Sequence, residues 1–142
     1  MKIVDINNIL YKEKLKTKEK IIKKMLAKVT NDTLKEKNLF NEIIKREEIE
    51  NTVIGFNFAI PHSKTDFVDK PYVIYAQLEN EIEWAKNEEL VKYVMLVLVP
   101  KKNSDVHIDI LKDISTKLIN EDFRKKLENV KNISEIYEVL NV

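Results

Sequence analysis

Cysteine is absent from this chain of 142 residues, which removes disulfide frameworks, thiolate metal sites and a cysteine nucleophile from consideration. Glycine occurs once and proline three times, so breaks are few, and no linker, repeat or low-complexity tract divides the chain. No apolar run approaches the roughly 18 residues of a membrane helix, and the N-terminus lacks a signal-peptide core, so the expected compartment is cytoplasmic. Histidine occurs only twice, and of 25 basic residues only Arg46 and Arg124 are arginine.

Net charge is also nearly missing, at +1, which argues against nucleic acid as a partner. It is unevenly spread: residues 1–30 carry nine lysines against Asp5, Glu13 and Glu19. A lysine-rich first helix suits anionic lipid or an acidic partner, although a solvated helix face explains it as simply. With 44% hydrophobic and 35% charged residues the composition is that of an ordinary globular protein, and the length fits one domain over 1–142.

What is present has clear periodicity. "KIVDI" (2–6) reads as a short strand or extended arm. Thr17 can cap a helix with Ile21, Ile22, Met25, Leu26 and Val29 inward. Asp32 or Asn31 can cap a second helix running to about Glu47, with Leu34, Phe40, Ile43 and Ile44 inward. The period then changes. "TVIGFNFAI" (52–60), "YVIYAQL" (72–78) and "KYVMLVLV" (92–99) are strand runs, the last almost wholly apolar and so expected to be buried on both faces. A helix over about 105–120 follows, with the stripe Ile108, Leu111, Ile114 (or Ser115) and Leu118, then shorter helices near 121–129 and 134–140. Helices, strands, then helices predict an α/β sandwich: a central sheet covered by helices on both sides.

Three residues form a candidate site. His62 follows Pro61 at the end of a strand-like run; proline fixes its own φ and pushes Ile60 towards extended backbone, so the ring leaves the strand on a constrained path. An ordinary pKa of about 6.5 leaves such a ring largely neutral and nucleophilic at cytosolic pH. The simpler explanation is a structural histidine. His107 falls in the first turn of the 105–120 helix, in phase with 111, 114 and 118, where free N–H groups suit a phosphate and disfavour imidazolium. Here too a buried, hydrogen-bonded histidine is an equally good account. Arg46 ends the second helix, which the helix dipole explains by itself, but its planar fork is also the group that grips phosphate bidentately. Two histidines forty-five positions apart with no cysteine are a poor metal set, so neither metal nor cofactor is expected.

"IGFNFAIPH" (54–62) resembles the active-site signature I-G-x-G-I-A-I-P-H-G of the fructose- and mannitol-type IIA components (EIIA type-2) of the phosphoenolpyruvate-dependent sugar phosphotransferase system. "KREEIENTVIG" is similar to that family's lead-in, with Arg46 sixteen residues before His62. "IEWAKNEELVKYVMLVLVP" and "VHIDILKDISTKLINEDFRKKL" resemble its later segments. The resemblance implies a central mixed sheet sandwiched by helices. It also implies that His62 is phosphorylated by the small histidine phosphocarrier protein (HPr) and passes the group to a cysteine on a IIB partner, which serves the membrane IIC permease. Arg46 and His107 would then support the phosphate. The sequence departs from the pattern at Asn57, where glycine is usual and which tolerates left-handed backbone, at the bulky Phe56 and Phe58, and at Ser63, whose hydroxyl can bond phosphate. Phe56, Phe58 and Phe67 are candidates for an apolar docking centre, with packing against the sheet as the other role of Phe58.

The same site serves two other readings: a regulatory, nitrogen-type IIA protein that signals by its phosphorylation state, or a module of a transcriptional regulator. The Met start and one-domain length lead us to expect a free-standing component.

Overall fold

The computed structural model describes residues 2–103 and 105–142; the side chains of residues 103, 106 and 107 also lie outside the described part. A 3₁₀ turn, Ile6–Asn8, leads into β1 (Ile9–Glu13), followed by α1 (Lys18–Leu26) and α2 (Thr33–Ile49). Three short strands come next, β2 (Val53–Gly55), β3 (Phe58–Ala59) and β4 (His62–Thr65), then the long pair β5 (Tyr72–Ile82) and β6 (Val91–Pro100). The chain closes with α3 (Asp105–Ile119), α4 (Glu121–Glu128) and α5 (Ile133–Leu140).

Side-chain caps set the helix starts. Thr17 Oγ1 accepts from Lys20 N at 3.2 Å, and Asp32 Oδ1 accepts from Leu34 N and Lys35 N. Asn120 and Asn132 do the same for α4 and α5. Each satisfies amides that the first helical turn leaves without intrahelical acceptors.

The six strands form one mixed sheet in the order β1-β5-β6-β3-β2, with β4 also paired to β6. β5 and β6 are antiparallel; β1 runs parallel to β5, and β3 and β4 run parallel to β6. Alternation along β6 divides the core in two. Tyr93, Met95, Val97 and Val99 pack with Ile110, Ile114 and Leu118 of α3 and with α4 and α5. Val94, Leu96 and Leu98 pack with Ile21, Ile22, Met25 and Leu26 of α1 and Leu39 and Ile43 of α2. A strand buried on both faces must be apolar at every position, which accounts for the unbroken run. The expected sandwich is present.

Three details differ from the sequence reading. "KIVDI" forms no strand: Asp5 caps the 3₁₀ turn, and the amides of Ile3 and Val4 both donate to Asn141 Oδ1 at the other end of the chain. Leu34 is 67% exposed, because α2 turns Leu39 and Ile43 inward instead. The buried line of α3 is Ile110, Ile114 and Leu118, which leaves Ile108 outside at 58% exposure.

Candidate functional site

The backbone that delivers His62 begins at the β2–β3 turn, where Gly55 has φ 102°, Phe56 56° and Asn57 63°. A Cβ on Gly55 would meet nothing within 4 Å, so what this position requires is the left-handed conformation, not space. Asn57 carries its left-handed backbone as its residue type allows, and its Nδ2 donates to Leu90 O at 2.8 Å.

β3 and β4 lie one after the other along β6, Phe58 opposite Tyr93 and His62 opposite Val97. Between them Ile60 N donates to Thr52 O at 3.0 Å, and Pro61, which has no N–H to give, accepts from Val97 N through its carbonyl at 3.0 Å. His62 therefore does not leave a strand for a loop, as its sequence position suggested; it opens the next one.

The imidazole is half-buried, with Nδ1 2.7 Å from Ile60 O. A carbonyl can only accept, so Nδ1 carries the proton and the ring lone pair lies on Nε2. The pKa of His62 is held below its ordinary value, above all by burial and further by the positive charges of Arg46 and Lys64. The bond to Ile60 and the charge of Glu47 oppose the shift without cancelling it. The ring is largely neutral at pH 7, with its lone pair on Nε2.

The structure brings Arg46 to His62: it lies in the last turn of α2, and its charge is felt at the ring. Its Nη1 donates to Glu50 O at 2.7 Å, which fixes the fork and uses one of its five N–H donors. Ser63 is the second residue of β4, and strand alternation sends its side chain to the face opposite the His62 ring, towards α2; its Oγ donates to Lys64 O at 3.4 Å. The backbone of His107 lies in the first turn of α3, which follows β6 closely, but the side chain lies outside the described residues.

The three phenylalanines do not share a surface. Phe58 is 1% exposed and stacks on Tyr93 at 5.5 Å between ring centroids, so it belongs to the core. Phe56 sits at the β2–β3 turn against Arg124, towards the C-terminal end of α3. Only Phe67 stands just beyond β4, half-exposed, its amide donating to Thr65 Oγ1.

Sequence reasoning missed Glu47. This carboxylate is 4% exposed, and its Oε1 accepts from Thr52 Oγ1 at 3.0 Å and from Trp84 Nε1 at 2.5 Å. The signal was available: 39, 43 and 47 are spaced by four, so a charged residue stands in line with the buried side of α2. Among the described residues no group of three or more His, Asp or Glu is placed to hold a metal ion.

A central mixed sheet with helices on both faces, and a half-buried histidine within reach of an arginine's charge at its edge, define a class of small α/β domains. The chain matches, over residues 2–142, the family described as phosphoenolpyruvate-dependent sugar phosphotransferase system, EIIA 2, and it belongs to that family. It is similar to the PTS system fructose-specific EIIA component of Haloferax volcanii, 34% identical over 99 residues that cover 69% of this chain and 64% of that protein. It is also similar to the nitrogen regulatory protein of Bradyrhizobium diazoefficiens, 29% identical over 89% of this chain and 84% of that one. The chain thus spans a little under two thirds of the first relative and most of the second. Among solved structures, nitrogen regulatory protein IIA-Ntr from Neisseria meningitidis shares the fold with a TM-score of 0.88 at 19% identity, covering 98% of this chain and 97% of that one. The complex of enzyme IIA and phosphorylated enzyme IIB for mannitol from Escherichia coli holds a similar chain, with a TM-score of 0.77 at 21% identity and 96% of each covered.

Proposed function

We propose that this chain is a cytoplasmic phosphocarrier, taking a phosphoryl group onto His62 from the histidine phosphocarrier protein and passing it to a cysteine on a IIB partner, which feeds a IIC permease. One observation carries the reading: a neutral imidazole whose Nδ1 is committed to Ile60 O, with Arg46 beside it. In the first step the donor's phosphorus–nitrogen bond breaks as the Nε2–phosphorus bond forms. In the second that bond breaks as a thiolate of the partner forms its own bond to phosphorus.

Such transfers need little covalent chemistry from the protein beyond the nucleophile; positioning and charge do the rest. Arg46 takes up charge on the phosphoryl oxygens through the donors that Glu50 leaves to it. The first amides of α3, which follows β6 closely, offer further donors, and we assign His107 a supporting role on the sequence resemblance alone. Ser63, whose side chain lies on the other face of β4, is not needed for this role.

The test is reconstitution with phosphoenolpyruvate, the general first enzyme and the histidine carrier. We expect an acid-labile, base-stable phosphate on the protein and none on His62→Ala. Normal labelling of a folded His62→Ala chain removes this assignment.

A second reading has its own support. The nitrogen regulatory relative aligns with 89% of this chain, against 69% for the fructose component. In that reading the same phosphohistidine is a signal and not an intermediate in sugar uptake. Neighbouring IIB and IIC genes favour transport; neighbouring nitrogen sigma-factor genes favour regulation.

A further inference from the structure

Glu47 occupies a place where an apolar residue would serve the fold better. It continues the buried line of Leu39 and Ile43, yet it is a carboxylate, and its Oε2 is buried with no hydrogen-bond partner among the described residues. Such burial is costly to a fold, and replacing half-satisfied charge with a packed hydrocarbon is commonly neutral or stabilising. Its charge does not serve the neutrality of His62 either, since it acts to raise the pKa of that ring.

What the carboxylate does is hold. Its Oε1 anchors the Thr52 hydroxyl and the Trp84 indole, tying the end of α2 to the sheet. The Thr52 carbonyl accepts the Ile60 amide at 3.0 Å, and the Ile60 carbonyl faces His62 Nδ1 at 2.7 Å. Thr52 is thus gripped from its side chain while its backbone grips the residue that orients the ring. We propose that Glu47 is a positioning residue for His62, fixing through Thr52 and Ile60 the Nδ1–H tautomer and ring plane that present Nε2 to an incoming phosphoryl group. This rests on the transfer reading for its purpose, but the state of the ring is measurable without any phosphate.

The experiment compares full-length wild type, Thr52→Val, Glu47→Leu and Glu47→Gln by long-range proton–nitrogen correlation of the imidazole at a pH where the ring is neutral. Phosphate acceptance from the histidine carrier is measured alongside. Wild type should show one tautomer, with the proton on Nδ1. Thr52→Val and Glu47→Leu should show mixed tautomers and a kcat lower by about tenfold, as loss of orientation alone produces. KM for the carrier should stay within about twofold, because the docking surface is untouched. Glu47→Gln keeps an acceptor for Thr52 and should keep the single tautomer. Folded Thr52→Val and Glu47→Leu chains with the wild-type tautomer and kcat overturn the proposal; where Glu47→Leu does not fold, Thr52→Val decides. A wild type that accepts no phosphate overturns the transfer reading instead, and the tautomer comparison still judges Glu47.

Discussion

The guanidinium carbon of Arg124 lies 4.2 Å from the centroid of the Phe56 ring, so one of the two arginines in the chain covers the one aromatic residue that, among the described residues, adopts a left-handed backbone. The same arginine donates to Leu118 O and Ile119 O, the carbonyls left over where α3 ends. It therefore caps a helix and covers a strained turn at once. Arg124→Lys keeps the charge but loses the flat fork, and should cost about 1–2 kcal/mol. Urea unfolding checks this, and a midpoint equal to that of wild type would show the fork to be dispensable.

Arg46 makes a different prediction, about rate. Arg46→Lys retains a cation at the end of α2 and should leave the fold intact. A point charge, however, offers a phosphoryl group no bidentate grip. Labelling of His62 by the carrier should slow by about a hundredfold, the scale of losing one preorganised donor to developing charge. Stopped-time labelling measures it; unchanged kinetics would remove Arg46 from the proposed site.

The depressed pKa of His62 ties stability to pH. The folded chain releases the ring proton more readily than the unfolded chain, whose pKa is about 6.5. Between the two values the unfolded state binds more protons, so stability rises with pH. The contribution is present above about pH 6.5 and is lost as pH falls through the folded-state value beneath it. Urea midpoints at several pH values should show a steeper acid-side loss for wild type than for His62→Gln. Equal slopes would mean that burial does not disfavour the charged ring.

These features were unequally visible in the residues. Thr17 and Asp32 announced the helices they cap, because a cap acts within three residues of itself. β6 announced its burial through nine apolar positions in ten. β1 did not announce itself: "ILYKE" becomes a strand by pairing parallel to β5, Ile9 against Tyr75, across some sixty residues of chain that no local pattern encodes. "KIVDI" misled for the same reason in reverse, since its amides are claimed by Asn141. Of the candidate site, the ring and the arginine were singled out by motif and rarity. The Glu47–Thr52–Ile60 chain was not, because two of its links run through backbone carbonyls, which have no sequence signature.

Pro61 interrupts the edge of the sheet without releasing it, since Val97 still reaches the proline carbonyl and β4 resumes one residue later on the same neighbour. His62 is consequently mounted on a hydrogen-bonded strand and not on a loop. In the transfer proposed above, the ring would serve as an anvil, and most of the alignment of the encounter would fall to the visitor.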